Sequence, residues 1–547
     1  MHDGGGLGLN GISLYLHTVR HLRPIQVWNR LWRQRWRIWP WKGRGWRPSS
    51  AVREAAGPVR RQWPRCGVVW DGASTFTFLN ETRRIDAPAH WDDPGCGRLW
   101  RYNLHYFDCL RQEPRPPAAA TEGLVLRWIN ENPAGRGSGW EPYPVSLRIV
   151  NWVKWLLGDE VSACRDAGTR ERVVQSLAMQ AAGLARRLEY HLLANHLLAN
   201  AKALVFAGVF LEGTAAARWY RTGMDIYRRE LPVQILSDGI HFELSAMYHS
   251  IILEDLLDVV NLLEGTSPDP ARCEDAAFLR GCAARMLHGL ETLTGPDGRI
   301  AMFNDAAHGI ALAPSSLESY ARRLGVAADP ARRDGPDSGY VRLGRDGWTL
   351  IVKCGQIGPD FQPGHAHADS LTFELWREGR KVVSDTGTDR YAVDGQRLYQ
   401  RGTSAHNTVS VDGFDSSEVW GGHRVARRAT PLSVEVDVAA CRVTAAVRDR
   451  RGFTHRRTLE LTAKGLHGID EIGGAGCHKV AARFHMTRCA MVSLVAADGL
   501  SPHSEDCLLA CEFGKLCDGT CEVLERTGDL PVKLEWDIVH ETDSAKL

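Results

Sequence analysis

The residue types that could carry out chemistry concentrate in three short segments around histidines: 194–197, 364–369 and 403–408. In the middle segment, His365 and His367 are separated by one residue. In an extended chain both imidazoles would point to the same face, because side chains alternate along a strand. Two imidazoles on one face can begin a divalent metal site. If the chain bends, the two rings can take separate roles.

Residues further along the chain could complete such a metal site. Asp385 could supply a carboxylate and His406 a third ligand. Two imidazoles and one carboxylate suit zinc, although polar turn residues explain a single His-x-His pair equally well. Four cysteines also cluster at 507–521, but they lack the Cys-x-x-Cys spacing of most zinc sites. For these cysteines, buried thiols or one local disulfide are the favoured interpretation.

Length and charge limit the classes of protein to consider. A chain of 547 residues exceeds the size of a single hydrophobic core, which predicts two or more domains. A formal net charge of +2 gives no reason to expect a nucleic-acid partner, and an anionic ligand would have to be met by local groups. The 19 tryptophans could stack on sugar rings, but filling the core is the favoured interpretation.

The elements that must position these residues change type along the chain. From about residue 100 to 315, apolar residues recur at helical spacing, with Gly, Pro and Asp in the gaps. Helices are expected at Val145–Leu157, Arg172–Leu188, His191–Leu211, Ala215–Glu230, Ser250–Glu264 and Asp275–Thr294. From about residue 335 the period becomes that of strands, with turns at regular intervals, which predicts a large antiparallel sheet assembly. The domain boundary is expected within Ala328–Ser338.

Residues 1–60 form a basic, tryptophan-rich segment ahead of the predicted domains at 61–330 and 335–547. Trp28, Trp32, Trp36 and Trp39 recur at near-helical spacing, and arginines lie between them. The favoured interpretation is a helix whose tryptophan face docks on the main body while arginines face water. The alternative is peripheral contact with an anionic membrane surface. No long apolar run or signal-peptide pattern is visible, which favours a cytoplasmic or peripheral location and leaves a periplasmic one open.

Taken in order, several motifs resemble the heparinase II/III family, a superfamily of uronate polysaccharide lyases that includes alginate lyases. The resemblance extends from about residue 100 to 450. It implies an incomplete (α/α) toroid followed by an antiparallel β-sandwich domain, and cleavage of a uronic acid-containing acidic polysaccharide by β-elimination. The motifs that carry it are Asn195-His196, Asp238–Glu243 with Tyr248-His249, Phe303–Asp305, Gly364–Asp369 with Leu371–Glu374, and Ala405–Thr408.

The resemblance also implies roles for individual residues. Tyr248 would be the catalytic acid and, for one sugar configuration, also the base, with its phenol ionised beside cationic groups. His365 would be the base for the opposite configuration. Asn195 or His196 would hold the substrate carboxylate, and because neighbours on a helix point about 100° apart, only one should face the cleft. We expect His196 to be that residue.

The same resemblance implies supporting sites. His367, Asp385 and His406 would hold a structural zinc. Arg148 and Arg401 are candidates for binding substrate anions, because guanidinium groups clasp carboxylates well, although structural ion pairs are the favoured alternative. Asn304 and Asp305 would line the cleft, with capping of a loop equally probable on the residue types alone.

Two other functions compete with the lyase. A glycoside hydrolase on the same architecture would need two carboxylates across the bond, drawn from Glu243, Asp238 and Asp305. A noncatalytic scaffold could instead handle a polysaccharide during its synthesis or export. The absence of a signal-peptide pattern and the basic start of the chain lend this second alternative some support.

Overall fold

A computed structural model describes residues 9–38, 62–158, 166–266, 269–329, 337–488, 490–497 and 499–540. Of the tryptophan-rich segment expected at 1–60, Trp39 and the basic residues beyond it lie outside this range. Within the described ranges, no helix is both long and apolar enough to cross a bilayer.

The chain begins with two helices, α1 (Leu9–Val19) and α2 (Pro24–Ile38). A small hairpin of β1 (Thr75–Phe78) and β2 (Glu81–Arg84) follows. The described helices of the next region are then α3 (Arg98–Tyr106), α4 (Ala118–Glu131), α5 (Pro142–Leu157), α6 (Ala167–Ala185), α7 (Ala194–Phe210), α8 (Thr214–Gln234), α9 (Ala246–Gly265), α10 (Pro270–Thr292) and α11 (Pro314–Leu324). Short 3-10 turns lie at Pro88–Asp92, Asp108–Arg111 and Ser138–Trp140.

Helix α7 lies at the centre of the helical half. It packs against α5, α8 and α9, and nearly all of its residues are buried. A helix that is apolar on every side is expected in such a position. Two glycines allow α7 and α8 to approach closely. A Cβ on Gly208 would lie 2.6 Å from the backbone nitrogen of Tyr220, and one on Gly223 would lie 2.7 Å from the carbonyl of Ala201.

The second half is built from strands. In chain order they are β3 (Tyr340–Arg345), β4 (Trp348–Lys353), β5 (Phe373–Arg377), β6 (Arg380–Val383), β7 (Val409–Val411), β8 (Val419–Trp420), β9 (Arg424–Val425), β10 (Thr430–Asp437), β11 (Arg442–Arg448), β12 (Thr454–Leu461), β13 (Gly465–Gly473), β14 (Cys477–Thr487), β15 (Val492–Ala496), β16 (His503–Glu512), β17 (Lys515–Asp529) and β18 (Val532–His540). Helix α12 (Gly395–Arg401) and a 3-10 turn at Thr403–Ala405 lie between β6 and β7.

Apart from β8 and β9, which pair with each other, these strands form two packed antiparallel sheets. One has the order β16-β17-β14-β6-β5-β4-β3, with β7 beside β14, and the other has the order β10-β11-β12-β13-β18-β15. Their facing side chains share one core, in which Phe373 of the first sheet stacks on Trp536 of the second, with 5.9 Å between ring centroids. Two sheets enclosing one apolar layer form a β-sandwich. The expected order, a helical toroid followed by an antiparallel sandwich, is confirmed.

The change from helices to strands occurs between Leu324, where α11 ends, and Tyr340, where β3 begins. Near the end of the chain, Cys511 and Cys517 lie on opposite sides of the β16–β17 turn with their Sγ atoms 2.7 Å apart. Of the two expectations for this cluster, buried thiols or one local disulfide, the structure shows free thiols, with Cys507 and Cys521 buried.

The first two helices contradict the favoured interpretation of the tryptophan-rich segment. Trp28 and Trp32 stack on each other and are exposed, with 64% of the Trp28 side chain open to solvent. Around the second helix, the contacts to the main body come from Gln26 and from Arg23 just before the helix. Gln26 is buried and donates a hydrogen bond to the carbonyl of Phe361, and the Arg23 guanidinium lies 3.6 Å from the Phe361 ring centre. Trp28 and Trp32 of α2 therefore point outward.

Candidate active site

Two candidate residues lie at the first turns of toroid helices. Asn195 is the second residue of α7, and Tyr248 is the third residue of α9, where the Ser245 hydroxyl caps the helix by accepting from the Tyr248 amide. The positive end of a helix dipole favours anions at such positions. Residues beside the site also adopt left-handed backbone, with φ of 49° at Ala194 and 55° at Leu244. This conformation is costly for residues other than glycine and is concentrated at functional sites in proteins.

His365 lies between these helix ends. Its ring stacks on the ring of Tyr248 with centroids 3.8 Å apart, and its Nε2 lies 3.3 Å from the Asn195 amide nitrogen. On the opposite side, its Nδ1 lies 2.9 Å from Oδ2 of Asp305. Because a carboxylate only accepts, Nδ1 carries the proton and donates, which leaves the lone pair of Nε2 facing Asn195. A histidine held in this tautomer by a carboxylate is ready to accept a proton at Nε2.

Asp305 is fully buried and is the anion that organises this part of the site. Its Oδ1 accepts from Nε2 of His367 at 2.9 Å, and both carboxylate oxygens accept from the guanidinium of Arg397. Burial alone would raise the pKa of Asp305, but the Arg397 charge and the hydrogen bonds from His365 and His367 hold it well below its usual range. Asp305 therefore stays ionised and keeps both imidazoles in place.

The phenol of Tyr248 lies beside a second tyrosine. Its hydroxyl is 3.0 Å from that of Tyr391, and the side chain is half-buried. Burial and the neighbouring Tyr391 hydroxyl raise the pKa of Tyr248 well above its usual range. The expectation that cationic groups ionise this phenol is wrong, because desolvation outweighs them. The phenol is protonated at neutral pH, as a proton donor must be.

The structure also reverses the expected choice between the adjacent residues Asn195 and His196. Asn195 is buried and directs its amide at His365. The His196 ring instead lies against Tyr143, with centroids 4.5 Å apart, and its Nδ1 is 3.3 Å from Glu189. Because the two side chains diverge around α7, Asn195 is the residue that meets the proposed base.

The expected zinc ligands lie behind the His365 loop. The rings of His367 and His406 are 5.3 Å apart, and Asp385 accepts from Nδ1 of His406 at 2.8 Å. Within the described ranges, Nδ1 of His367 and Nε2 of His406 are buried and have no hydrogen-bond partner. Two buried imidazole nitrogens left open fit a zinc ion, which takes nitrogen ligands, whereas Asp385 contacts the opposite nitrogen of the His406 ring.

The most tightly converging set of possible ligands lies elsewhere. Of the residues that the structure describes, only Asp305, His365 and His423 bring three such atoms within 4.8 Å of one another. Arg397 already contacts both oxygens of Asp305, and its positive charge opposes a cation at this carboxylate. We therefore interpret this set as a hydrogen-bonded network.

Neither arginine expected to bind substrate anions is available to do so. Arg148 is fully buried in the toroid, where it donates to Gln180 and to the carbonyl of His105 and stacks 3.8 Å from the Trp128 ring centre. Arg401 is also fully buried, and all of its contacts are backbone carbonyls, including two hydrogen bonds to that of Ala366. Arg401 thus holds the loop between the two histidines. The substrate-binding prediction for both residues was wrong, and so was the alternative of structural ion pairs.

Asn304 and Asp305 are likewise closed to substrate. The Asn304 amide donates to the carbonyls of Leu244 and Ile357, and its oxygen accepts from the backbone of His367 and from Lys353. Every polar atom of this side chain is therefore used to join the helical half to the strand half. The expectation that this pair lines the cleft was wrong, because both residues act from beneath it.

Three site residues were not identified as such from the sequence. Tyr391 and Arg397 lie on the chain between β6 and the end of α12, more than 80 residues from the partners they contact. Glu243 is buried 3.7 Å from Nε2 of His365, and burial raises the pKa of its carboxyl. Glu243 lies in the Asp238–Glu243 motif that carries the family resemblance, five residues before Tyr248, but its residue type indicated a role only in the competing hydrolase.

Two family descriptions together match most of the chain. The description of the heparinase II/III N-terminus matches residues 106–323, and that of the heparinase II/III-like C-terminal region matches residues 327–507. The two matches meet between the end of α11 and the start of β3. They include Asn195, Tyr248 and His365.

Curated relatives are similar over part of their length. A heparin-sulfate lyase of Bacteroides stercoris is 28% identical over 245 residues, which cover 40% of this chain and 35% of the relative. A heparin-sulfate lyase of Bacteroides thetaiotaomicron is 27% identical over 331 residues, which cover 53% of this chain and 47% of the relative. The matched regions thus span about half the length of these relatives or less.

Solved structures share the fold. A heparinase III structure aligns with a TM-score of 0.61 at 17% identity and covers 85% of this chain and 80% of that one. A heparan sulfate lyase from Pedobacter heparinus, solved as a mutant, aligns with a TM-score of 0.58 at 17% identity. The alignment covers 94% of this chain and 88% of that one. At this identity the likeness concerns the architecture alone.

Proposed function

The chain belongs to the heparinase II/III family, and on that premise we propose that it is a polysaccharide lyase that cleaves a uronic acid-containing acidic polysaccharide by β-elimination. The observation that carries the proposal is the convergence of Asn195, Tyr248 and His365. The Tyr248 ring stacks 3.8 Å from the His365 ring, and the Asn195 amide lies 3.3 Å from His365 Nε2. These three side chains supply an acid, a base and a neutral hydrogen-bond donor in one place.

Elimination from a uronate needs these groups. The hydrogen on C5, next to the carboxylate, is weakly acidic, and its removal places negative charge on the carboxylate. A donor must stabilise that charge, a base must take the C5 proton, and an acid must protonate O4 of the departing sugar. A well-placed acid or base typically contributes about 10²–10⁴-fold to the rate. The products are a shortened chain and a sugar unsaturated between C4 and C5.

The hydrogen bonds of the site favour one assignment of these roles. His365 acts as the base, because Asp305 holds the proton on Nδ1 and leaves Nε2 free to accept. Tyr248 acts as the acid, because its raised pKa keeps the phenol protonated. Asn195 donates its amide to the substrate carboxylate. The proton from C5 passes to His365 Nε2, the electron pair forms the C4–C5 double bond, and O4 leaves with the proton of Tyr248.

The surroundings of the site suit an anionic substrate. The first turns of α7 and α9 both contribute a site residue, and helix N-termini stabilise negative charge. As His365 takes a proton, the nearby Asp305 carboxylate, 2.9 Å from Nδ1, stabilises the imidazolium. Electrostatic support of this kind acts most strongly in a buried site.

A glycoside hydrolase is less well supported. Hydrolysis requires two carboxyl groups on opposite sides of the bond. Asp305 is bound by Arg397, and Asp238 accepts from the backbone and hydroxyl of Ser338. Glu243 alone of the three candidates lies next to His365 without such a partner. One carboxyl group does not meet the requirement.

A structural zinc would add rigidity behind the catalytic loop. We propose that His367, Asp385 and His406 would hold it, since two of their imidazole nitrogens are buried and open. When bound, the ion would neutralise the Asp385 carboxylate and lock the two rings together; it would take no part in proton transfer. Metal analysis of the purified protein tests this: zinc in a ratio near one per chain, lost in a His406→Ala variant, is expected. A metal-free native protein would refute it.

The function is tested by incubating the protein with heparan-type, alginate-type and bacterial capsular or exopolysaccharide uronates. Ultraviolet absorbance of the unsaturated uronate should rise with at least one polymer, and a His365→Ala variant should produce none. New reducing ends without this absorbance would instead indicate a hydrolase. Binding of a polymer without any cleavage, unchanged in His365→Ala, would support the noncatalytic alternative.

A further inference from the structure

The first two helices form a hairpin that rests on the loops around the proposed active site. In α1, the Tyr15 ring packs edge-on against Trp420, and the Trp420 indole donates to the Thr18 hydroxyl. Gln26 of α2 and Arg23, just before that helix, contact Phe361, four residues before His365. The hairpin is thus anchored through one side, by specific contacts to the strand half.

Its other side is apolar and open. On α1, Ile12, Leu16 and Val19 are exposed at helical spacing, and 61% of Leu16 is open to solvent. On α2, Trp28 and Leu31 are 64% and 60% exposed. Of the 21 large hydrophobic side chains that are exposed in the described ranges, nine belong to these two helices. Scattered exposed apolar residues need no explanation, but a concentration such as this one marks an interaction surface.

The hairpin is also strongly basic. Residues 9–38 contain six Arg and no Asp or Glu, whereas the rest of the chain carries 61 basic and 65 acidic residues. Arg20 and Arg30 of this hairpin are exposed. A partner must therefore accept both an apolar face and a dense positive charge.

We propose that this face binds the surface of an anionic phospholipid bilayer, with the apolar side chains of α1 and α2 in the interfacial region and the arginines on the lipid phosphates. Helices with an apolar face rich in Trp and Leu, and arginines beside it, lie in membrane interfaces in this way. An acidic polysaccharide would use the arginines and tryptophans but would leave Ile12, Leu16 and Leu31 in water. A second copy of the chain would bring the two basic hairpins together, which like charges oppose.

The anchoring side gives this binding a consequence for the active site. The hairpin touches Phe361 and the Trp420–Arg427 segment, and Nδ1 of His423 in that segment donates to the carbonyl of Gly364. The Arg427 guanidinium also donates to the Ser13 hydroxyl of α1. Membrane binding would therefore hold the loops around His365 next to the lipid surface.

Vesicle flotation of the full chain tests the proposal without using its enzymatic activity. Vesicles of phosphatidylcholine alone and of phosphatidylcholine mixed with phosphatidylglycerol would be compared. The protein should float only with the anionic vesicles, and added salt should weaken binding because it screens the charges. A Trp28→Ser/Leu31→Ser double variant should lower the partition coefficient at least about tenfold, since each side chain loses its burial in lipid.

Val438→Ser is the matched control, because Val438 is 73% exposed and lies on the strand half. It should float like the unchanged protein, and circular dichroism should show that both variants are folded. Failure to float with anionic vesicles would overturn the proposal. So would equal floating by the double variant, retention by an acidic polysaccharide alone, or a dimer that the double variant dissociates.

Discussion

Replacing Tyr248 with phenylalanine separates the chemical role of the hydroxyl from its structural role. The substitution keeps the ring that stacks 3.8 Å from His365 and removes the oxygen that lies 3.0 Å from Tyr391. The lost hydrogen bond contributes about 1 kcal/mol to stability, which the folded protein should tolerate. Losing the proton donor should lower the rate of elimination by about 10²–10⁴-fold.

Tyr391→Phe is the matched control, since it removes the same hydrogen bond from its other side. If Tyr391 only positions the Tyr248 phenol, its loss removes one hydrogen bond that contributes about 1 kcal/mol. An increase of that size in the activation free energy slows the reaction roughly fivefold. The two variants should therefore have similar unfolding free energies and very different rates. A third variant, Tyr248→Phe with Tyr391→Phe, should be no slower than Tyr248→Phe alone.

The assay is the initial rate of ultraviolet absorbance on the polymer that the unchanged protein cleaves, together with binding of that polymer. Binding should be preserved in both variants, because neither removes the Asn195 amide. The reasoning is refuted if Tyr248→Phe retains more than about a tenth of the rate, or if Tyr391→Phe is as slow as Tyr248→Phe.

Three further predictions concern the neighbours of this pair. Asn195→Ala should slow elimination about 10²–10³-fold by removing a donor to the developing charge, whereas His196→Ala should stay within about tenfold; equal losses in the same rate assay would contradict the geometry. Arg397→Gln should lower the free energy of unfolding by about 3–5 kcal/mol, because it leaves Asp305 buried without its cation; denaturant titration measures this, and a change below about 1 kcal/mol would contradict it. Burial lowers the pKa of His249 to about 4. In the unfolded chain the pKa of this histidine is about 6.5, so below that pH the unfolded chain takes up a proton that the folded chain does not. The free energy of unfolding should therefore fall by about 2 kcal/mol between pH 7 and pH 5 because of this residue. A His249→Gln variant should lack that part of the loss, and an unchanged pH dependence would exclude the residue as its source.

Much of the architecture could be predicted because it depends on local patterns. Apolar spacing located α5, α7 and α9 to within a few residues, and the change of period near residue 335 located the start of the strand half at β3. Hydrophobic periodicity is set by the faces that each element buries, so it is readable without knowledge of the neighbours. The order of the motifs then indicated which helix starts and loops carry Asn195, Tyr248 and His365.

The partners of these residues could not be predicted in the same way. Arg401 and Arg397 are four residues apart on one short helix, yet the first holds a backbone carbonyl and the second an ionised carboxylate. Nothing in their residue type or spacing distinguishes these roles, because the distinction depends on loops brought together from distant parts of the chain. For the same reason, the face of α2 that points outward could not be decided from its sequence, since both faces could serve as the docked one.

The hydrogen bonds by which Asn304 joins the helical half to the strand half limit the relative motion of the two domains. In the proposed mechanism, the acid Tyr248 and the hydrogen-bond donor Asn195 come from helices of the toroid, and the base His365 comes from a loop of the sandwich. The two domains must therefore be correctly positioned for the three side chains to meet. Asn304 joins Leu244, just before α9, to Ile357 and to the backbone of His367 on the other side. A displacement of about 1 Å between reacting groups can cost about 10²-fold in rate. Hinge motion between the two domains would therefore lower the turnover rate, and the hydrogen bonds of the Asn304 amide limit the range of that motion.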